Sequence, residues 1–245
     1  MLYLIGLGLG DKGISLEGLE MAQSCECYCD IYTSRIDLEA VAEVLGRKPI
    51  IASRSALEEN AHILLEKARE DDVAILVGGD PLAATTHIEL AMEARRQGIP
   101  CRIIHGASIL TAVAETGLQA YKFGKVGSVV FPPRSNSTAY EVLEKNLSIG
   151  LHTLLLLDLD GDRYMDAAEA VEALLQEEQQ TGKGLLQKDT QVVVCAGLGT
   201  SDARIWVGHA DSVQRSGPYP QCLVIPGNLH FAEKDALASH TVPER

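Results

Sequence analysis

Short apolar runs alternate with helical patterns through the first half of this chain, and that alternation restricts the fold more than any other feature. LYLIG (2–6) predicts a strand, and the stretch 16–23 predicts a helix. Further strands are predicted at PIIA (49–52), DVAILVGGD (72–80) and PCRIIH (100–105), with helical stretches between them. Strand–helix alternation is typical of a parallel α/β sheet. The first half is therefore predicted to be a layered α/β structure.

Residues that favour helix ends refine these helices. A helix is predicted over 38–45, and Ser53 or Ser55 is a candidate N-cap for the helix through HILLEKARE (62–70). TTHIELAMEARRQG (85–98) combines threonine at its start with glycine at its end, a pattern that predicts a complete helix.

The alternation loosens after about residue 118. Two further helices are predicted, at 139–146 and 164–179. QVVVCAG (191–197) is followed so closely by ARIWVG (203–208) that no helix fits between them. The two runs therefore predict a hairpin, and the second sheet is expected to be mixed.

The fold class predicted from these patterns is α/β, with two α/β domains at 1–118 and 119–245. The chain has 245 residues, 46% of them apolar, which suffices for substantial cores. Its formal net charge of −13 disfavours nucleic-acid binding and is compatible with a basic protein partner. No apolar run reaches the roughly 18 residues that a membrane span needs, and the first residues are predicted to be a buried strand and not a signal peptide. These features favour a cytoplasmic protein.

Three cysteines, Cys25, Cys27 and Cys29, stand at every second position around a predicted strand, CYCDIYT (27–33). Alternate positions of a strand share one face. Zinc sites usually contain C-x-x-C pairs, and this chain has none. The cysteines are therefore expected to be small buried thiols, with a metal or redox site as the less favoured alternative.

Three glycine-containing turns follow predicted strands, and each permits more than one interpretation. The first, Gly6-Leu7-Gly8-Leu9-Gly10, resembles the start of a dinucleotide fingerprint, but Asp11 interrupts the pattern and the next helix begins late. A site for NAD or FAD, a plain tight turn, and a site for a ligand without phosphates all remain open here.

The second turn is Gly78-Gly79-Asp80, and the third is His105-Gly106-Ala107-Ser108. Open α/β sheets bind ligands at the carboxyl ends of their strands, and Asp80 offers a carboxylate there. The alternative for Asp80 and Ser108 is that each only caps a turn or helix. His87 and His105 lie near these turns, and isolated histidines are more often structural than catalytic.

Seven segments together carry a family resemblance: LYLIGLGLGDKGISLEGLE (2–20), IYTSR (31–35), GGDPLAATTH (78–87), IIHGASI (103–109), TGLQAYKFGK (116–125), GLHTLLLLDL (150–159) and VIPGNLH (224–230). In this order they resemble the diphthine synthase family. The GDP-type turn is similar to that of the wider group of tetrapyrrole methylases, whereas the YTS, ATTH, YKFGK and PGxLH elements are typical of diphthine synthases.

The resemblance implies a fold, a reaction and a set of contacts. It implies two α/β domains with S-adenosylmethionine in the cleft between them, and a homodimer. No metal-binding residue is assigned. The implied reaction methylates the amino group of an aminocarboxypropyl-modified histidine on elongation factor 2, with S-adenosylhomocysteine as the other product. The implied cofactor contacts are Leu9, Asp80, Ala83, Ser108, Ile109, Leu157, Leu198 and Gln221. Relatives usually have a smaller residue in place of Leu198, and often histidine in place of Gln221.

Two alternatives remain at this point, a tetrapyrrole methyltransferase and a dinucleotide-binding oxidoreductase or non-catalytic binding protein. No catalytic residue is assigned. Methyl transfer needs chiefly alignment, and waiting for a neutral acceptor amine costs only about 1.4 kcal/mol at one pH unit below its pKa. No histidine–carboxylate pair is evident near the motifs. The enzyme is therefore expected to work without a dedicated base, and loss of His87 or His105 to cost less than about tenfold in activity. His87 and His105 remain possible bases.

Overall fold

The computed structural model describes residues 1–10, 12–34, 36–161 and 163–240, so Asp11, which interrupts the glycine pattern, lies outside the described residues. The chain divides into two compact units, Met1–Ala112 and Val113–Arg245. The sequence placed this division slightly later, between 118 and 119.

The first unit is a parallel sheet covered by helices, as the alternating pattern predicted. Its sheet order is β3-β2-β4-β1-β5. The strands of the described part are β1 (Leu2–Gly6), β2 (Glu26–Asp30), β3 (Ile50–Ala52), β4 (Val73–Val77) and β5 (Cys101–Ile104). The helices are α1 (Leu16–Ser24), α2 (Leu38–Leu45), α3 (Ala61–Glu70), α4 (His87–Arg96) and α5 (Ile109–Ala112).

Side-chain caps set several of these boundaries. The Ser15 hydroxyl accepts from the backbone N–H of Gly18 at the start of α1, and Asp37 caps α2 in the same way. The helix expected after Ser53 or Ser55 is interrupted, because Ser55–Glu59 forms a π-helical turn and α3 begins only at Ala61. Neither serine caps α3.

The three neighbouring cysteines lie in the core of the first unit. Cys25, Cys27 and Cys29 are free thiols and are buried beneath α1 and α2. Cys25 precedes β2, so only Cys27 and Cys29 share a face of that strand. They fill space as small buried thiols, in agreement with the sequence interpretation. Within the described residues, no three His, Cys, Asp or Glu side chains are grouped so that they could hold a metal ion.

The second unit is built on a mixed sheet of order β11-β10-β12-β7-β6, as predicted. The predicted hairpin is confirmed, since β10 and β11 pair antiparallel, while β6 and β7 pair parallel. Its described strands are β6 (Gly127–Val129), β7 (Thr153–Leu157), β8 (Leu159–Asp160), β9 (Arg163–Tyr164), β10 (Gln191–Ala196), β11 (Arg204–His209) and β12 (Gln221–Ile225). Its helices are α6 (Ser137–Ser148), α7 (Ala167–Thr181) and α8 (Phe231–Ala238).

The predicted helix from 164 begins three residues late because of a cap. The Asp166 carboxylate accepts from the N–H of Glu169, and the Glu169 side chain accepts from the N–H of Asp166. Tyr164 instead ends the small β8–β9 hairpin, which the sequence did not indicate. None of the described helices combines the length and apolar character required to cross a membrane.

Candidate functional site

Three predicted contact segments follow neighbouring strands in the first unit. In the parallel sheet β4, β1 and β5 are adjacent, so the turns after all three lie at the same edge. Two backbone hydrogen bonds join the first two turns: the Gly8 N–H donates to the Gly79 carbonyl at 3.0 Å, and the Gly79 N–H donates to the Gly8 carbonyl at 2.9 Å. The fold therefore brings the Leu9 and Asp80 segments together.

The third turn approaches the other two by backbone alone. A Cβ on Gly6 would lie 2.6 Å from the carbonyl oxygen of Gly79, and a Cβ on Gly106 would lie 2.5 Å from the same oxygen. Real Cβ atoms do not approach so closely, so these positions require glycine. The glycines thus serve close packing of the three turns, a role that the incomplete dinucleotide fingerprint left open.

Asp80 is fixed in orientation by its neighbours. The Leu82 N–H donates to Oδ1 at 2.9 Å, and the Gly106 N–H donates to Oδ2 at 3.3 Å. Nδ1 of His105 donates to Oδ2 at 2.7 Å. The Asp80 side chain is 14% exposed and that of His105 is 69% exposed. The carboxylate therefore caps its turn and also retains some solvent access.

Three more predicted contacts of the first unit, Ala83, Ser108 and Ile109, lie in or directly after the second and third turns. The Ala83 N–H donates to the Asp80 carbonyl, so both lie in one turn. Ser108 is buried and its hydroxyl accepts from the N–H of Leu110, which makes it a cap of α5. Ile109 is the first residue of α5. The capping alternative for Ser108 is correct, and its hydroxyl can still donate to a ligand.

The remaining predicted contacts lie together in the second unit. Leu157 ends β7, Leu198 follows the end of β10, and Gln221 begins β12. Because β12 is antiparallel to both β7 and β10, these three positions share one end of the sheet. The sequence could not place them together without the strand order.

The Gln221 side chain is largely engaged within its own unit. Its Oε1 accepts from the N–H of Ala167 at 2.9 Å, and its Nε2 donates to the carbonyls of Ser216 and Pro218. An amide nitrogen has two donors, so a ligand contact by Gln221 would have to use the second lone pair of Oε1 or its apolar stem.

Among the described residues of the first unit there are two histidine–carboxylate pairs, neither of which was evident in the sequence. The first is His105 with Asp80. In the second, Nε2 of His87 lies 3.4 Å from Oδ2 of Asp30, with both side chains almost fully buried. Burial lowers the pKa of His87, and the carboxylate of Asp30 opposes that shift only in part. In each pair the two residues are far apart in sequence, and they meet because strands of the same sheet bring their segments together.

Sequence reasoning also missed a cluster around a buried carboxylate in the second unit, here called the Glu233 cluster: Glu233, Lys122, His152 and His230. Oε1 of Glu233 accepts from Nε2 of His152 at 3.1 Å, and Oε2 accepts from the His230 N–H at 2.8 Å and from Nζ of Lys122. The Gly227 N–H donates to Nδ1 of His152, which fixes that imidazole as the neutral Nε2–H form. The YKFGK, GLHT and PGNLH motifs all contain members of the cluster.

Burial alone would raise the pKa of Glu233, but the hydrogen bonds from Lys122, Gln119, His230 and His152 outweigh it and lower the pKa to about 2. Glu233 is 1% exposed, so this charge is held inside the protein. Shared motif residues that converge on one carboxylate were the available signal, but only the fold reveals the convergence.

Comparison with known proteins identifies the class. Residues 1–214 match the model of the Tetrapyrrole (Corrin/Porphyrin) Methylases, and the chain belongs to that family. A diphthine synthase from Methanocaldococcus jannaschii is 42% identical over 97% of both chains, and one from Methanococcus maripaludis is 38% identical over 97% of both chains. Within the class, the chain therefore belongs to the diphthine synthase family, as the motifs indicated.

A solved structure supports the same assignment. The crystal structure of a diphthine synthase superposes with a TM-score of 0.89 at 37% sequence identity, and the match covers 98% of this chain and 95% of the other. The predicted α/β fold class is confirmed. These full-length relatives favour neither the tetrapyrrole substrate nor the dinucleotide-binding alternative.

Proposed function

We propose that this protein transfers methyl groups from S-adenosylmethionine to the amino group of the aminocarboxypropyl-modified histidine of elongation factor 2, forming diphthine. The observation that carries the proposal is the full-length match to diphthine synthases, at 42% identity. The first unit supports it with three adjoining turns at the carboxyl edge of a parallel sheet, a position suited to a ligand.

The residues at this edge fit the chemistry of the cofactor. S-adenosylmethionine has no phosphate, and it carries a sulfonium and an ammonium group. Asp80 offers a carboxylate to a cation or a ribose hydroxyl, and Leu9, Ala83 and Ile109 offer apolar surface. When bound, the cofactor supplies an electrophilic methyl group, and the protein has to hold donor and acceptor in line. Such alignment can lower a barrier by about 7–11 kcal/mol. Leu157, Leu198 and Gln221 stay predictions as further contacts.

The test is methyl transfer to elongation factor 2 that carries the aminocarboxypropyl group, followed by mass spectrometry of the modified peptide. Calorimetry should show micromolar binding of S-adenosylmethionine or S-adenosylhomocysteine and no measurable binding of NAD. Asp80→Ala should weaken cofactor binding by about 1.5–3 kcal/mol, as expected for a lost hydrogen bond to a charged group. Tight NAD binding, or unchanged cofactor affinity in Asp80→Ala, would contradict the proposed site.

We also propose a cytoplasmic homodimer, because the resemblance implies two subunits and a translation factor as substrate. Light scattering at micromolar concentration should give about twice the 26.3 kDa mass of one chain. A mass near that of the monomer would refute the dimer.

A further inference from the structure

His105 and Asp80 form a histidine–carboxylate pair at the edge of the first sheet where the three turns meet. The pair is joined at Nδ1 of His105, 2.7 Å from Oδ2 of Asp80. An ionised carboxylate only accepts hydrogen bonds, so Nδ1 carries the proton and the lone pair of the neutral imidazole is on Nε2. With 69% of the His105 side chain exposed, a ligand can reach this ring.

The orientation of Asp80 makes the pair directional. Backbone N–H groups of Leu82 and Gly106 hold its two oxygens, so the carboxylate cannot turn away from the imidazole. A fixed carboxylate on Nδ1 selects the tautomer of the imidazole and stabilises the imidazolium that forms when Nε2 takes a proton. Asp80 is the carboxylate that pairs with His105 in the described part of the chain.

We propose that His105 accepts the proton of the acceptor amine in the methyl transfer proposed above, on which this inference rests. Nε2 takes one proton from the substrate ammonium and becomes imidazolium. The freed nitrogen lone pair bonds to the methyl carbon, and the carbon–sulfur bond breaks with its electron pair left on sulfur, as a neutral thioether. The product is a methylated ammonium, and the exposed imidazolium returns its proton to water.

The energetics favour a proton acceptor inside an occupied site. A bound sulfonium cation places a positive charge near the substrate ammonium, and like charges disfavour the protonated amine. The Asp80 carboxylate holds the Nδ1–H of His105, so the lone pair of Nε2 is available for the proton that the amine gives up. A base at His105 replaces the expectation of an enzyme without a base, which assumed that the acceptor amine loses its proton to water before it docks.

His87 does not meet the same requirements. It is 2% exposed, and its partner Asp30 is fully buried. An acceptor amine on another protein cannot reach this ring, so His87 is a structural residue.

The experiment compares wild type with His105→Asn, which keeps an N–H close to the position of Nδ1 but cannot accept a proton. His62→Asn is the matched control, since His62 is an exposed histidine on α3. The kcat/KM for elongation factor 2 is measured between pH 6 and pH 9, and cofactor affinity is measured by calorimetry. His105→Ala is assayed with and without added imidazole.

At pH 7 His105→Asn should lose at least about tenfold in kcat/KM, because an α-amino group with a pKa of about 8 is only about one-tenth neutral at that pH. The loss should be smaller at pH 8 than at pH 7 and disappear above the pKa of the amine, where the acceptor is already neutral. Cofactor affinity should stay within twofold, His62→Asn should match wild type, and imidazole should restore His105→Ala.

The inference is overturned if His105→Asn stays within threefold of wild type at pH 6 and 7, if its loss is independent of pH, or if imidazole restores nothing. A wild-type protein that binds the cofactor but methylates no form of elongation factor 2 would overturn the proposed function as well. Wild-type activity with an unaffected His105→Asn would overturn only the role of His105.

Discussion

Replacing Glu233 by glutamine should destabilise the second unit by about 3 kcal/mol at neutral pH. The pKa of Glu233 is about 2 in the folded protein, against about 4.3 for an ordinary glutamate in an unfolded chain. The difference of roughly 2.3 units corresponds to about 3 kcal/mol at 1.36 kcal/mol per unit. Glutamine would also turn an amide N–H₂ toward donors that the carboxylate now accepts from, whichever way it is oriented.

The sign of the pH dependence follows from the lowered pKa. The contribution is fully present above about pH 4.3 and is lost as pH falls toward 2, because the unfolded chain takes up the proton first. The difference in unfolding free energy between wild type and Glu233→Gln should therefore be about 3 kcal/mol at pH 7 and about half of that at pH 3.

Urea denaturation, monitored by tryptophan fluorescence, measures this difference in unfolding free energy. Trp206 is the only tryptophan and lies on β11, so its emission reports on the second unit. Glu141→Gln is the control, because Glu141 is 62% exposed and lies 3.9 Å from Lys145, and it should change stability by less than about 0.5 kcal/mol. Equal urea midpoints for Glu233→Gln and wild type at pH 7 would refute the reasoning. If the difference in unfolding free energy between the two proteins is no smaller at pH 3 than at pH 7, the charge of Glu233 is not its cause.

Two further perturbations test the first unit. Gly106→Ala would place a methyl group 2.5 Å from the carbonyl oxygen of Gly79, a backbone atom that cannot turn aside. The free energy of unfolding should therefore fall by about 1–3 kcal/mol, and cofactor affinity should fall by more than tenfold. An unchanged melting temperature by circular dichroism and an unchanged affinity by calorimetry would contradict the close packing of the turns. Burial lowers the pKa of His87 below that of a histidine in the unfolded chain, so His87 reduces stability as pH falls below about 6.5. The melting temperature of His87→Leu should therefore fall less than that of wild type between pH 7.5 and pH 5. An equal fall in both proteins would contradict this reasoning.

Local sequence determined the elements that depend on apolar pattern alone. The predicted helix over 38–45 has the same bounds as α2, and the run 72–80 contains β4. The strand predicted through residue 33 ends at Asp30, because that carboxylate accepts from the N–H groups of Tyr32 and Thr33 and turns the chain. Side chains that bond their own backbone compete with a strand, and an apolar pattern does not reveal the outcome.

The candidate site was predictable only as separate turns. Each glycine turn could be seen in the sequence, since each follows an apolar strand. Their contact requires the order β4-β1-β5, which depends on pairing between distant segments. The same is true of His105 and Asp80, which are 25 positions apart along the chain and were not recognised as a pair. Motif resemblance supplied the family, and the fold supplied the geometry.

The Glu233 cluster has a consequence for how the protein is made. The backbone N–H of Gln119, which precedes β6, donates a hydrogen bond to the carboxylate of Glu233 on α8, the last described helix. The two residues are 114 positions apart. During synthesis, domains fold as units in the order in which they are made. The first sheet is complete once β5 is made, whereas the second unit cannot close its buried charge until α8 is made. A nascent chain arrested before residue 233 should thus carry a protease-resistant first unit followed by a cleavable second one.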